Sequence, residues 1–288
     1  MQFNKEVVLV TGASRGLGNA FARYIAANGG TVVVNSTGSN PQGEATVAAI
    51  RDAGGEALFI PGRVEEGDQL VEKVINECGR IDAIVHNAGF VQDKTLRKMT
   101  DEQWDLVQDV HLKAAFKLTR AAWPHFEEQG SGRLVFISSA SGLYGNFGQG
   151  NYAAAKAGMH GLARSIQLEG SALNIAANVV APFGATELNS ANFPEELKAA
   201  IKTDYVAPLI GYLAHPDCQE NGGLFEASAG VYKKVRWQRA AGLEVDTSQP
   251  ITLKQIADGW DEVTDFSDPE YPNEMRESLS GMYARRLS

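Results

Sequence analysis

The chain has 288 residues, 44% hydrophobic and 21% charged, a composition too apolar for a disordered chain and ample for a core covered on both faces. The formal net charge is −9, from 26 basic and 35 acidic side chains, which argues against a nucleic-acid partner. No apolar run reaches the roughly 18–20 residues of a membrane helix, and Met1 to Glu6 lack the basic-then-apolar pattern of a secretory leader. Cys78 and Cys218 are isolated and without ligand-like spacing. They are expected as buried small hydrophobes in a reducing compartment, with no metal site, in a cytoplasmic protein that avoids membranes.

Val7-Val8-Leu9-Val10 reads as a strand, followed by a glycine-rich turn and then Leu17, Phe21, Tyr24 and Ile25 at helical spacing. Thr31-Val32-Val33-Val34 is a second strand, leading through a polar loop to a helical stretch that ends at Ala53. Ala57-Leu58-Phe59-Ile60 is a third, before a helix carrying Leu70, Val71, Val74 and Ile75. Ile81-Asp82-Ala83-Ile84-Val85 and Leu134-Val135-Phe136-Ile137 follow as the fourth and fifth. Between them lies a long helix, opened by a capping box at Thr100 and Gln103 and carrying Trp104, Val107, Leu112, Phe116 and Leu118. Pro124 is expected to kink or end it near Trp123.

A helix from about Gln149 to Gly170, a sixth strand at 175–180, a loop from Pro182 to Pro194 with a further helix, and a seventh strand at 224–227 complete the pattern. Continuous β-branched runs separated by helices suit strands buried on both faces of a parallel sheet. The expected fold is a doubly wound α/β domain of seven parallel strands over residues 1–240, with a C-terminal extension over 241–288. That extension holds ten acids and four bases over residues 240–288.

Directly after the first strand comes Thr11-Gly12-Ala13-Ser14-Arg15-Gly16-Leu17-Gly18. A pyrophosphate needs a sharp turn, exposed backbone N–H groups and a close helix N-terminus, which glycines allow because no Cβ intervenes. The second strand ends in Val34-Asn35-Ser36-Thr37 with no acid until Glu44. An acid there would bond ribose hydroxyls and repel a 2′-phosphate, whereas Ser36 and Arg15 could bind one. NADP(H) is therefore favoured, with NAD(H) possible.

Tyr152-Ala153-Ala154-Ala155-Lys156 places a phenol and an ammonium on one helical face. The cation is expected to favour the phenolate and lower the tyrosine pKa, making proton exchange possible. Ser139 stands at the end of the fifth strand, where its hydroxyl could hold a carbonyl oxygen.

With these residues the chain resembles the short-chain dehydrogenase/reductase family over about residues 3–240, through Thr11-Gly12-x-x-x-Gly16-x-Gly18, Asn87-Ala88-Gly89, Ser139 and Tyr152-x-x-x-Lys156. The resemblance implies a Rossmann fold and hydride transfer between nicotinamide C4 and a carbonyl or alcohol carbon. It implies Tyr152 as acid/base, Lys156 tuning it and holding the nicotinamide ribose, and Ser139 orienting the reacting oxygen. Gly12, Ser14, Arg15, Gly16, Leu17, Gly18, Ser36, Asn87, Ala88, Gly89 and Pro182 would contact the cofactor, and Val64 would lie near the adenine. His111 stands where the family usually has an asparagine that completes a proton relay, and is kept as a catalytic candidate. Gly62-Arg63 replaces an adenine-side Asp, and Pro182-Phe183-Gly184 replaces a Pro-Gly.

Residues 138–149, 205–209, 220–226 and 236–239 resemble one subgroup more closely, the (3R)-hydroxyacyl-CoA dehydrogenase part of multifunctional peroxisomal β-oxidation enzymes. That subgroup shares the histidine and the extension but has an Asp at the Ser36 position. It implies a 3-hydroxyacyl-CoA substrate first and a 17β-hydroxysteroid second, in a stand-alone homodimer or homotetramer. A 3-oxoacyl carrier-protein reductase is a third reading, disfavoured by the sequence pI near 5.1. A non-catalytic nucleotide sensor is a fourth, disfavoured because Ser139, Tyr152 and Lys156 are all present.

The segment 183–212, with Phe193, Leu197, Ile201, Tyr205, Leu209 and Ile210, is expected to form the substrate pocket. Ile256, Trp260, Phe266 and Tyr271 are expected to dock the tail on the body or a partner subunit, and Lys233, Lys234 and Arg236 to offset its acidity toward CoA. Arg285-Arg286-Leu287-Ser288 does not match a Ser-Lys-Leu peroxisomal signal.

Overall fold

The computed structural model describes residues 1–38, 40–186, 190 and 193–287. Positions 187–189 and 191–192 of the expected substrate loop, and Ser288, lie outside the described residues. The apolar runs become β1 (Val7–Val10), β2 (Thr31–Ser36), β3 (Glu56–Pro61), β4 (Ala83–His86), β5 (Gly132–Ile137), β6 (Ile175–Pro182) and β7 (Leu224–Ser228). All seven pair in parallel. The described residues add one strand to the expected seven, β8 (Val231–Val235), and the sheet order is β3-β2-β1-β4-β5-β6-β7-β8. Ala229 and Gly230, at φ 51° and 74°, make the two-residue turn that folds β8 back on β7.

The sheet is covered on both faces. On one, α1 (Gly16–Ala27), α2 (Pro41–Asp52) and α9 (Ala207–Ala214) bury Phe21, Ile25, Val47, Ile50, Ile210 and Leu213 against Val8, Val10, Val32 and Val34. On the other, α3 (Gly67–Cys78), α5 (Ala114–Gln129) and α7 (Gly150–Gly170) cover Leu9, Ile84, Leu134 and Phe136, which alternate with the first set. Shorter helices α4 (Asp101–Gln108), α6 (Ala140–Tyr144) and α8 (Glu195–Ala200) lie in the connections. Strand order reverses between β1 and β4, which opens a crevice above the strand ends.

The long helix begins as expected: Gln103 N–H donates to Thr100 Oγ1 at 3.3 Å, and Thr100 N–H to Gln103 Oε1 at 3.2 Å. It does not end at Trp123. The helix runs through Pro124 to Gln129 and closes at Gly130, φ 69°. Proline lacks the amide N–H and so removes one helix hydrogen bond, and burial of Phe126 one half-turn later offsets that loss. Between α4 and α5 the chain takes a π-helical turn, Asp109–Lys113, which periodicity did not predict.

The chain divides into two compact units, Met1–Lys234 and Val235–Ser288. The second carries α10 (Leu253–Asp258), α11 (Trp260–Val263) and α12 (Met275–Leu287). Within it Arg239 pairs with Glu270 and donates to Ser278 O and Oγ at 3.0 Å, and Arg236 lies 3.7 Å over the Tyr271 ring. Cys218 is buried but Cys78, at the end of α3, is only half-buried. No helix among the described residues is long and apolar enough to cross a membrane, and no group of three or more His, Cys, Asp or Glu could hold a metal.

His86 is buried in β4, stacked on Phe136 at 4.6 Å, and burial with the nearby Lys156 charge pushes its pKa down to about 3. The unfolded chain binds a proton there below about 6.5 and the folded chain does not, so this histidine withdraws stability as pH falls from about 6.5 toward 3. The loss is about 1.4 kcal/mol per pH unit. Urea denaturation at pH 7 and pH 5 is expected to show a smaller drop in His86→Gln than in the natural protein; equal drops would contradict it.

Candidate active site

The turn after β1 is built by a second loop. Thr11 Oγ1 accepts from the N–H groups of Asn87 and Ala88, both at 3.0 Å, and Asn87 Nδ2 donates to Thr11 O at 2.9 Å and Gly12 O at 3.2 Å. The two loops approach so closely that a Cβ on Gly12, φ 64°, would stand 2.8 Å from Ala88 Cα. One on Gly18 would stand 2.4 Å from Gly12 O and 2.5 Å from Asn87 Nδ2. Asn87 is thus a strut of the turn as well as a wall of the cleft.

A cleft of about 1160 Å³ lies above the strand ends. It is lined by the cofactor candidates Gly12, Ser14, Arg15, Gly16, Leu17, Gly18, Ser36, Val64, Asn87, Ala88, Gly89 and Pro182, and by Ser139, Tyr152, Lys156 and His111. Ser36 Oγ at the end of β2 is buried with no hydrogen-bond partner among the described residues. A bare glycine turn at a helix start, with an orphaned hydroxyl about one strand-end away, fits the pyrophosphate and ribose of a dinucleotide.

The substrate side departs from expectation. Phe183 lines the cleft, but Ile201 and Ile210 are buried in the body, and Phe193, Leu197, Tyr205 and Leu209 are not among the lining residues. Ile210 and Leu209 pack into the core instead, Leu197 and Tyr205 are exposed, and Phe193 packs on Phe183 at 6.1 Å. The apolar wall comes instead from Phe90, Val91, Leu106 and Val110, with Asp93 and Gln149 as polar neighbours.

Ser139 caps α6: its Oγ accepts from Ser141 N–H at 3.2 Å, and its hydroxyl favours the ionised form of the Tyr152 phenol. Asn151, fully buried, fixes the start of α7 by donating to Gln92 O at 3.2 Å and Gln103 O at 3.1 Å. One turn on, Lys156 Nζ donates to Ile137 O at 2.5 Å and lies 5.6 Å from the Tyr152 ring centroid. No carboxylate among the described residues pairs with it, and burial pushes its pKa down to about 7.

The expected lowering of the tyrosine pKa is absent. Burial raises it, with Asp93 adding to the rise and the Ser139 hydrogen bond opposing. A lysine near its own midpoint supplies only part of a charge, and the dry site penalises the phenolate.

His111 sits in the π-helical turn, buried, its ring edge-on to Tyr152 at 5.2 Å. Its Nε2 lies 2.8 Å from Phe90 O and 3.3 Å from Phe90 N; taking the shorter contact as the hydrogen bond puts the proton on Nε2 and makes Nδ1 a buried acceptor without a partner among the described residues. Gly89 makes room: a Cβ there would stand 2.1 Å from His111 Cε1. Burial and the Lys156 charge push the imidazole down to about 3, so it stays neutral near pH 7.

Such a cleft serves oxidoreductases that bind a nicotinamide dinucleotide and act on alcohols or ketones. The short chain dehydrogenase family model matches residues 6–196, and the chain belongs to that family. It is 43% identical over 291 residues to the peroxisomal multifunctional enzyme type 2 of Mus musculus, covering 98% of this chain and 40% of that protein. It is 41% identical to the peroxisomal multifunctional enzyme A of Dictyostelium discoideum, covering 99% and 66%. The full-length peroxisomal multifunctional enzyme type 2 structure from Drosophila melanogaster superposes with a TM-score of 0.87 at 36% identity, over all of this chain and 50% of that one. The chain therefore spans two fifths to two thirds of the length of these relatives.

Gly18→Ala is expected to weaken nicotinamide dinucleotide binding by about 5- to 150-fold, because the added methyl forces the two loops apart at about 1–3 kcal/mol. Fluorescence titration checks it; unchanged affinity would contradict the tight joint.

Proposed function

We propose that the protein oxidises the secondary alcohol of a 3-hydroxyacyl-CoA, or reduces the matching ketone, using a nicotinamide dinucleotide. The observation that carries the reading is the convergence of Ser139, Tyr152 and Lys156 on one cleft, with the Ser139 hydroxyl favouring the Tyr152 phenolate and Lys156 one turn from the phenol. When bound, the dinucleotide supplies the hydride acceptor or donor. Tyr152 Oη takes the alcohol proton in oxidation and returns it in reduction, while Ser139 Oγ hydrogen-bonds the reacting oxygen. Lys156 supports the phenolate with whatever charge it carries, and neutral His111 packs Tyr152 in place.

The acyl-CoA assignment rests on the resemblance of residues 138–149 and 220–226 and on the similarity to the multifunctional enzymes. The aromatic and aliphatic wall at Phe90, Val91, Leu106, Val110 and Phe183 also accepts a hydroxysteroid, the second reading. NADP(H) is favoured over NAD(H) because β2 ends in an orphaned buried hydroxyl where an acid would repel a 2′-phosphate. Arg15 lines the same cleft. A homodimer or homotetramer belongs to this reading, and exposed Phe116 and Leu168 offer apolar surface for it.

Steady-state assays of both dinucleotides against 3-hydroxyacyl-CoAs and hydroxysteroids test the assignment, and turnover of neither class would refute it. Tyr152→Phe is expected to lose about 10²–10⁴-fold in kcat while dinucleotide affinity stays within about twofold. Retained turnover would remove Tyr152 from the chemistry. Ser36→Asp is expected to move the NADP/NAD ratio of kcat/KM at least about tenfold toward NAD, and an unchanged ratio would defeat the cofactor reading. Because oxidation needs the phenolate and burial raises the phenol, oxidative kcat/KM is expected to rise with pH across the alkaline range while reduction falls.

A further inference from the structure

We infer that Asp93, Gln149 and Ser141 form a positioning chain that stitches the loops after β4 and β5 together and sets Ser139 and Tyr152 in working relation. The inference rests on the dehydrogenase reading above and adds to it residues that touch neither reacting atom.

The chain is continuous. Gln149 Nε2 donates to both carboxylate oxygens of Asp93 at 3.1 Å. Its Oε1 accepts from Ser141 Oγ at 2.8 Å and from Asn146 Nδ2 at 3.0 Å. Ser141 N–H then donates to Ser139 Oγ at 3.2 Å, and the Ser139 hydroxyl in turn acts on the Tyr152 phenol, favouring its ionised form. Beside it the backbones are joined as well: Lys94 N–H donates to Gly148 O at 2.8 Å, and Lys94 and Gln149 form an isolated parallel bridge. Asp93, Ser139, Ser141, Asn146 and Gln149 all line the cleft.

The residue types are constrained by the arrangement. Gln149 must present N–H groups to a carboxylate on one side and an oxygen to two donors on the other, which only an amide does. A glutamate would set two carboxylates against each other. Gln149 is also the residue before α7 and three positions before Tyr152, so its side chain fixes the approach of the helix that carries the phenol. A displacement of about 1 Å in such a group costs on the order of 10²-fold in rate.

Asp93 has a second effect. The groups facing Tyr152 are Lys156 from the same helix, His111 from the π-helical turn, Ser139 from the end of β5 and Asp93 from the loop after β4. His111 is neutral at neutral pH, so Asp93 is the negative charge acting on the phenol and opposes its ionisation.

The test uses the full chain and two readouts. The first is the ultraviolet phenolate titration of Tyr152, isolated by subtracting the Tyr152→Phe protein, which needs no substrate. Asp93→Asn keeps an oxygen for Gln149 but removes the charge, and is expected to lower the Tyr152 midpoint, because a negative charge that opposes the phenolate is lost. The second is kinetics with a 3-hydroxyacyl-CoA. Gln149→Ala and Gln149→Glu are each expected to lose about 10–100-fold in kcat with dinucleotide affinity within about twofold. An unmoved Tyr152 midpoint in Asp93→Asn, or full kcat in a folded Gln149 variant, overturns the inference. If the natural protein turns over no alcohol, the dehydrogenase reading falls while the titration still decides whether Asp93 acts on the phenol.

Discussion

An amine taken out of water without a carboxylate to neutralise it is the constraint on which the site depends. Lys156 is buried between the end of β5 and the helix that carries Tyr152, held by a single carbonyl, Ile137 O. Its surroundings are closed by close packing: a Cβ on Gly142 of α6 would stand 2.8 Å from Lys156 Cβ, and Ser138 Oγ donates to the Lys156 carbonyl at 2.8 Å. Desolvation pushes the amine down to about 7, and each neighbouring histidine is lowered first by its own burial and then by the Lys156 charge. Burial of each group, with the Lys156 charge added at the two histidines, thus sets the protonation of the site.

The two halves of the site share parts. Thr11 and Asn87 tie the phosphate-side turn to the loop after β4, and two residues later Gly89 admits the His111 ring that packs on Tyr152. The same loop continues through Asp93 to Gln149. The phosphate-side turn and the phenol thus share one stretch of chain, Asn87 to Asp93. The π-helical turn at His111 belongs to this joint, since an extra residue in the helix re-aims the side chain it carries, a device often found at functional sites.

Much of this was legible in the residues. Runs such as Val7 to Val10 are apolar on both sides because both faces of the sheet are covered, and the glycine spacing and the Tyr152–Lys156 pair mark their elements directly. What was not legible depended on contacts between segments distant in sequence. β8 is an exposed edge strand with two lysines and no apolar run. Asp93, Gln149 and Asn151 act through hydrogen bonds across loops, which no periodicity encodes. The i,i+4 spacing placed phenol and amine on one face but carried no information on how dry that face is, so the direction of the tyrosine shift was misread. Ile201 and Ile210 were assigned to a pocket because apolar helical residues look alike whether they line a cavity or a core.

The most direct measurement of this account is the titration of Lys156 itself in the free protein, by NMR of carbon-labelled lysine assigned against a Lys156→Met protein. A dry, unneutralised amine predicts a midpoint near 7. A midpoint at the ordinary lysine value of 10.5 would contradict it.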